Sequence, residues 1–297
     1  MISSPRVAPP LRRCSAMLVL GLVSTAAALH GEAACAQGTL FHWASGDPGE
    51  GGPNLDEPIV TDRPDFTEAS VTVGQGVVQI ETGYTYVYDD NASQSFRAHT
   101  APEMLLRVGV LADWFELRLG YTYLEETTHT FGVGRTTVNG SDDLYLGMKF
   151  ALTGQAGILP EMAIMPQMRV PSGSSEVTAG ETLPGVNWLY GWDVTEFIAT
   201  GGQTQVNRRL DDATGEPYAE FSQSWTINYS LADRLGGYTE WFCLAPDGAD
   251  TNHNENYFDG GLTFLVTDDV QLDARAGVGL NDAAADMFTG VGLSIRM

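Results

Sequence analysis

The feature that most constrains the fold is a series of long segments in which apolar and polar residues alternate. The first runs from residue 78 to residue 88, and its even positions are Val78, Ile80, Thr82, Tyr84, Tyr86 and Tyr88. This period of two is typical of a β-strand with one apolar face. Ordinary strands have about 5 to 6 residues, whereas a strand that crosses a bilayer at a tilt needs roughly 9 to 11. The first segment is therefore long enough to span a membrane.

Twelve such segments follow one another after residue 75, with no amphipathic helical stretch between them. We predict strands at about 76–88, 96–110, 114–125, 142–152, 158–170, 185–193, 196–206, 218–231, 236–245, 256–266, 269–280 and 286–297. A succession of this kind predicts a single large β-domain.

The connectors between these segments alternate in length. Short turns follow even-numbered strands, as at 111–114, 193–196, 231–234 and 266–269. Longer polar connectors follow odd-numbered strands, at 126–141, 171–184, 207–217 and 246–255. This asymmetry is expected of an outer-membrane barrel with an even number of strands.

We therefore predict an all-β fold, a closed antiparallel up-and-down transmembrane β-barrel of about 12 strands. Closure is required because backbone polar groups in lipid must be paired within the protein. The alternative is a secreted β-sandwich, in which the same apolar face would turn inward and the charged face would meet water. Strand length and the alternating connectors favour the barrel.

The two faces of the predicted strands differ in polarity. The apolar face, which would meet lipid, includes Leu117, Leu119, Met148, Leu272 and Val291. The other face would line the lumen, and its charged residues include Glu81, Glu103, Arg107, Glu116, Arg118, Lys149, Glu161, Arg169, Asp273 and Arg275. Aromatic residues near the strand ends would form two interfacial girdles. We assign Tyr86, Tyr88, Tyr123, Trp188 and Tyr257 to the long-loop end and Trp114, Trp192, Phe197, Tyr229 and Tyr238 to the turn end.

The N-terminus has the organisation of a secretory signal peptide. Three arginines precede an apolar run from Ala16 to Leu29, and small residues flank a cleavage site after Ala36. A lipidated Cys35 is the alternative. We divide the chain into a signal peptide (1–36), a periplasmic linker with a charged N-terminal segment (37–75), and the barrel (76–297). Export followed by cleavage predicts the outer membrane of a Gram-negative-type bacterium.

Composition restricts the partners. The chain has 15 Lys and Arg against 38 Asp and Glu, a formal net charge of −23, which disfavours nucleic acid as a partner. Cys243 is the only cysteine after residue 36, so the exported chain is expected to have no internal disulfide. The expected partners are outer-membrane lipid with lipopolysaccharide, and a small-molecule solute.

Two stretches resemble those of known proteins. The octapeptide from Thr61 to Glu68, TDRPDFTE, followed by QIETG at 79–83, resembles the opening of the phenol meta-pathway degradation transporters. This resemblance implies an outer-membrane barrel that takes up small aromatic or other hydrophobic compounds. Residues 290–297 resemble the terminal signal read by the barrel-insertion machinery, although the terminal aromatic is replaced by Met297.

The octapeptide is also predicted to be a plug. Its charges and its proline are Asp62, Arg63, Pro64, Asp65 and Glu68. Proline fixes its own φ and biases the preceding residue toward an extended conformation, so the segment is stiff. We expect it to fold back into the barrel mouth, with Arg63 pairing Glu81 or Glu103 and the acids meeting Arg107 or Arg118. The alternative is a solvated periplasmic lead-in.

Catalytic and metal-binding patterns are weak. His99, His129 and His253 have no Ser or Cys partner at a recognisable spacing, so we predict neither an enzyme nor a cofactor. The loop at 250–255 begins like a calcium loop, but Glu255 replaces the glycine that an EF-hand needs at its sixth position. Divalent binding by acidic loops, bridging to lipopolysaccharide phosphates, stays open.

A barrel of about twelve strands has a narrow lumen that side chains can largely obstruct. We therefore predict passive or facilitated passage of a small solute. With Asp193, Glu220, Glu240, Asp259 and Arg296 added, the predicted lumen face has nine acids against six bases, so any pore should prefer cations. The alternative is a structural or adhesive barrel with no transport role.

Overall fold

The computed structural model describes residues 39–41, 57–211 and 213–297, so the predicted signal peptide lies outside the described residues. These ranges contain thirteen strands: β1 (Val78–Asp90), β2 (Gln94–Gly109), β3 (Phe115–Thr130), β4 (Gly134–Ser141), β5 (Leu144–Thr153), β6 (Glu161–Val170), β7 (Leu183–Thr195), β8 (Ile198–Leu210), β9 (Pro217–Ala232), β10 (Leu235–Asp247), β11 (Glu255–Thr267), β12 (Val270–Gly279) and β13 (Met287–Arg296). In the same ranges, no helix has the length and apolar character needed to cross a membrane.

The strands form one closed antiparallel ring. Apart from β4 and β5, which do not pair with each other, each strand pairs with its neighbour in sequence, and β1 also pairs with β13, which closes the barrel. Strands β4 and β5 share one position in the ring, since β4 pairs with the second half of β3 and β5 pairs with the first half. The ring therefore has twelve positions, and the predicted twelve-stranded barrel is confirmed.

The two ends of the barrel differ in their connections. At the turn end, β7–β8, β9–β10 and β11–β12 are joined by two residues each. At the loop end, the longest connection joins β6 to β7. The predicted polar connector at 126–141 is wrong, because β3 and β4 continue through it as a hairpin with a turn at 131–133. This stretch is rich in threonine, whose β-branched side chain favours strands even when both faces are polar.

The outward face is apolar, as predicted. Large exposed hydrophobic residues on it include Leu117, Leu119, Met148, Trp188, Leu262, Leu272 and Val291. Two members of the predicted girdles are wrong, since Tyr238 and Tyr257 are buried inside the barrel. Tyr257 stacks on Phe242 with ring centroids 4.4 Å apart. Both tyrosines occupy inward-facing positions of their strands. The prediction considered only their position near a strand end, which does not show which face a side chain is on.

Strand β2 contains a bulge that exchanges its two faces. Between Thr100 and Glu103 the strand advances three residues while β3 advances from Leu124 to Thr122 only. One extra residue of this kind reverses the parity of the side chains beyond it. Even positions such as Phe96 therefore point inward before the bulge, and odd positions such as Arg107 point inward after it.

Candidate functional site

The lumen is occupied by residues 57–77, hereafter the N-terminal segment. The segment starts at the turn end, where the Ile59 N–H donates to the Asp268 carbonyl at 2.7 Å. It returns to the same end before β1, where the Gln75 N–H donates to the Asp113 carboxylate at 3.0 Å. Residues 57–60 belong to the stretch predicted as a periplasmic linker, but Ile59 is buried and bonded to the barrel. The segment therefore forms a loop that lies inside the ring, with both of its ends at the turn end.

Arg107 of β2 is the centre of a buried charge cluster. Its Nε donates to Glu116 Oε1 at 2.9 Å, and its Nη1 lies 3.1 Å from Glu81 Oε1. The same Nη1 lies 3.2 Å from Asp62 Oδ2 of the N-terminal segment. Arg107 and Glu116 are fully buried, and Glu81 is nearly so. Buried charges are stable only when they are paired, so these contacts fix the position of Asp62.

Two further cations hold the same segment. Arg118 Nη1 donates to Asp62 Oδ2 at 2.6 Å, and its Nη2 donates to Glu68 Oε2 at 2.8 Å. Lys149 Nζ lies 3.2 Å from Asp62 Oδ1 and donates to the Ala69 carbonyl at 2.7 Å. Burial acts to raise the pKa of Asp62, but Arg107, Arg118 and Lys149 together lower it well below its ordinary value. Asp62 is therefore ionised and bound to three cations.

Arg63 extends the network to the opposite side of the segment. Its Nη1 donates to Glu103 Oε2 at 3.0 Å, and its Nε lies 3.4 Å from Asp273 Oδ2. Gly83 and Gly292 flank the guanidinium so closely that a Cβ at either position would overlap it. The two glycines thus make the room that this arginine needs inside the barrel.

The middle of the segment is fixed by backbone donors. The N–H groups of Phe66 and Thr67 donate to the two oxygens of Glu240 at 2.7 and 2.9 Å. The Glu68 N–H donates to Gln203 Oε1 at 3.2 Å, and the Ser70 hydroxyl donates to Glu161. Polar groups of the barrel wall therefore satisfy successive backbone donors of a segment that has no regular structure of its own.

An aromatic cluster lies toward the loop end. Phe66 stacks on Phe242 with ring centroids 5.9 Å apart, and Phe242 in turn contacts Tyr257 and Phe288. Val87 and other apolar residues complete this buried group. The N-terminal segment is thus held by charges near the turn end and by aromatic packing nearer the loop end.

Asp65 has a different environment from Asp62. Burial and repulsion from Glu240 and Asp259 raise its pKa well above the ordinary value. Arg275, a basic residue in this part of the lumen, donates to the Pro64 carbonyl at 2.9 Å. Asp65 therefore lies among acids, with no salt bridge in the described part of the chain.

The structure brings most of the predicted charged residues together around the N-terminal segment. Arg63 contacts Glu103, one of the two acids considered for it, whereas Glu81 pairs with Arg107. Arg169 pairs with Asp142.

Sequence reasoning missed the aromatic contact between Phe66 and Phe242, the acceptor Gln203, and Ser224, whose hydroxyl group is hydrogen-bonded to that of Thr67. The alternation of β8, β9 and β10 places Gln203, Ser224 and Phe242 on the inward face, and this pattern could have identified them. No group of three or more His, Cys, Asp or Glu side chains with metal-binding geometry occurs in the described ranges.

The fold is similar to those of solved outer-membrane barrels. An outer membrane channel from Pseudomonas putida F1 matches with a TM-score of 0.62 and 12% identity, over 79% of this chain and 100% of that one. The translocator domain of the autotransporter NalP from Neisseria meningitidis matches at 0.50 and 12%, over 75% and 89%. The transport unit of the autotransporter AIDA-I from Escherichia coli matches at 0.50 and 9%, over 74% and 88%. At these identities the similarity is one of fold.

No curated protein sequence matches the chain. A family model described as "Putative MetA-pathway of phenol degradation" matches residues 61–297. The match begins at Thr61, the first residue of the charged octapeptide, and continues through the last strand. It therefore covers residues 61–77 of the N-terminal segment and the ring that encloses them, and the chain belongs to this family.

Proposed function

We propose that this protein is an outer-membrane channel for small solutes in which the N-terminal segment is a plug. The observation that carries the proposal is the set of ion pairs that join Asp62, Arg63 and Glu68 to the inner wall of a closed barrel. A barrel of twelve strands has a lumen wide enough for a narrow path, and a displaced segment would open it.

The two ends of the barrel support an orientation. Outer-membrane barrels have short turns on the periplasmic side and longer loops outside. The N-terminal segment enters and leaves the lumen at the turn end, beside Asp268 and Asp113. The plug is thus attached on the periplasmic side, where export of the N-terminus would leave it.

The solute is proposed to be a small aromatic compound. The family description refers to phenol degradation. The lumen supplies a matching surface, because displacement of Phe66 would expose the ring of Phe242 with Tyr257 and Phe288 beside it. Aromatic rings pack favourably on such surfaces in offset-stacked or edge-to-face geometry.

A second candidate function is a barrel with no transport role. The filled lumen favours it, since the segment and the charged wall leave Arg107, Glu116 and Lys149 without solvent contact. The two candidates differ in whether the segment can be displaced.

The test is single-channel conductance in planar phospholipid bilayers. Arg63→Ala removes both ion pairs of this residue, so we expect a higher conductance and a preference for cations over anions. Arg208→Ala is the matched control, because Arg208 pairs with Glu181 near the loop end, away from the plug. Slower migration on gels after boiling would show that each variant has formed a closed barrel.

Uptake measurements extend the test to the solute. Cells that produce the Arg63→Ala variant should take up phenols faster than cells that produce the wild type, with no change for sugars. Absence of conductance in every assembled variant would reject the channel and favour the non-transporting barrel.

A further inference from the structure

We infer that the outward surface of β2, β3 and β4 binds the phosphate groups of lipopolysaccharide. The site is a cavity of about 180 Å³ lined by Ser95, Arg97, His99, Thr127, His129 and Arg135, hereafter the outer basic pocket. The inference rests on the proposed outer-membrane location and does not depend on whether the lumen conducts.

Strand register brings the residues of the outer basic pocket together. Ser95 of β2 lies opposite His129 of β3, and His129 lies opposite Arg135 of β4. Arg97 lies opposite Thr127 in the next outward row. The bulge in β2 is essential here, because without it the side chain of Arg97 would point into the lumen.

The chemistry of the lining suits a phosphate group. All six side chains can donate N–H or O–H hydrogen bonds, and among the described residues no carboxylate lines the cavity. Arginine binds phosphate oxygens through two parallel N–H groups. The cavity volume is roughly six times the ~30 Å³ that a water molecule takes in the liquid, so a phosphate group fits.

The two arginines are available to a ligand. Most arginines in the described ranges form salt bridges, but Arg97 and Arg135 form none there. Both are exposed, and the Arg97 guanidinium lies over the Tyr88 ring at 5.7 Å from its centroid. Two unpaired arginines in one cavity are notable in a chain with a net charge of −23.

Acids and hydroxyl groups surround the outer basic pocket without lining it. Asp90 lies opposite Ser95, and Glu125 lies opposite His99. The His99 Nδ1 is 2.9 Å from the Tyr84 hydroxyl, which fixes the ring. These acids reduce the local positive charge, so binding depends on direct contacts between the arginines and the ligand.

The pocket lies where the headgroups of an outer leaflet would be. The outward residues of β3 are apolar or aromatic up to Tyr123 and polar from Glu125 onward. Tyrosine is typical of the membrane interface. At about 3.4 Å per residue, the pocket begins roughly 7 Å beyond Tyr123 along the strand and extends to about 20 Å. A lipid with its acyl chains against Leu117 and Leu119 would place its phosphates there.

A hydrolytic site is the competing interpretation, because Ser95 lies opposite His129. In the described part of the chain, however, no hydrogen bond joins these two side chains, and no carboxylate bonds to His129. The His129 ring packs edge-on against Phe131 at 5.4 Å. A nucleophile needs a base within hydrogen-bond reach and a group that orients the base, so the geometry favours binding.

The test measures binding of bisphosphorylated lipid A to the full-length barrel in detergent micelles by native mass spectrometry. The double variant Arg97→Gln/Arg135→Gln should bind at least about tenfold more weakly than the wild type, which corresponds to about 1.4 kcal/mol. Arg97→Lys/Arg135→Lys should retain part of the affinity because it keeps the charge. Arg208→Gln, which changes a partly exposed arginine near the same end, should bind like the wild type.

Two further ligands identify what is recognised. Lipid A without phosphates should bind the wild type no better than bisphosphorylated lipid A binds the double Gln variant. Equal binding of both lipids to the wild type, or full affinity of the double Gln variant, would overturn the inference. Complete displacement of lipid A by millimolar inorganic phosphate would show a site for the free anion and would also overturn it. Conductance in phospholipid bilayers tests the channel separately.

Discussion

Arg107 and Arg97 belong to the same strand, but they experience opposite environments. Arg107 is fully buried in the lumen and bonds to Glu81, Glu116 and Asp62. Arg97 is exposed on the outer surface, packs over the Tyr88 ring and forms no salt bridge within the described residues. Arginine thus holds the N-terminal segment when it lies in the lumen, as Arg107 does. On the outer surface, as at Arg97, it is available to bind a ligand.

The difference depends on register and not on residue type. Both arginines have odd numbers, so an uninterrupted strand would direct both into the lumen. The extra residue between Thr100 and Glu103 directs Arg97 outward. A single bulge therefore divides the charges of β2 between two separate sites.

The largest expected effect is that of Arg107→Ala. This change leaves Glu81, Glu116 and Asp62 buried with one cation fewer, and removal of one partner from a buried cluster costs about 3–5 kcal/mol. We expect a correspondingly lower midpoint of thermal unfolding in detergent, measured by the loss of heat-resistant migration on gels.

Arg97→Ala is the matched control for that change. Surface substitutions usually alter stability by less than about 0.5 kcal/mol, so its midpoint should be that of the wild type. Equal losses in the two variants would show that pairing inside the lumen does not distinguish these arginines.

Arg107→Lys should have an intermediate effect. Lysine keeps the charge but cannot form the two parallel bonds that Arg107 makes to Glu116. Hydrogen bonds to charged groups contribute roughly 1.5–3 kcal/mol each, and we expect a loss of about that size in the same assay. A variant as unstable as Arg107→Ala would indicate that geometry, rather than charge, holds the cluster together.

Asp65→Asn tests a lumen acid that has repulsive neighbours. The folded pKa of Asp65 is raised, so its favourable contribution is complete below its ordinary pKa of 3.8 and is lost as the pH rises through the folded value. Removing the charge should therefore raise the unfolding midpoint at pH 8 and leave it unchanged near pH 3. A lower midpoint at pH 8 would mean that Asp65 is paired in solution.

The smallest expected effect is that of Glu125→Gln on the outer surface. Glu125 is opposite His99 and opposes the charge of the outer basic pocket from outside its lining. Its neutralisation should increase the affinity for bisphosphorylated lipid A by about two- to threefold at low salt, since exposed charge pairs contribute about 0.2–1 kcal/mol. The gain should disappear at high ionic strength.

The sequence predicted the ring well because period and length are local properties. Alternation from Val78 onward fixes which face of β1 is apolar, and the twelve predicted strands correspond to the twelve positions of the ring. The hairpin of β3 and β4 was missed because a threonine-rich strand in water has the composition of a loop. The bulge in β2 was missed because one added residue changes parity without changing composition.

The charged part of the site was predictable for a different reason. An inward acid or base needs a partner, and the octapeptide supplies Asp62, Arg63 and Glu68 close to the first strand. The pairs with Glu103 and Arg118 follow from this complementarity. The bonds from the backbone N–H groups of Phe66 and Thr67 to Glu240 were not predictable. Nearly every residue type has the same backbone donor, so the sequence does not show which of them is bonded.

Arg63 also has a topological consequence. The barrel is a ribbon whose first and last strands, β1 and β13, must meet to make a tube. Arg63 lies across this seam, because it bonds to Glu103 of β2, to Asp273 of β12 and to the Val291 carbonyl of β13. Arg63 therefore joins strands on both sides of the β1–β13 contact. Separation of β1 from β13 would require these bonds of Arg63 to break first.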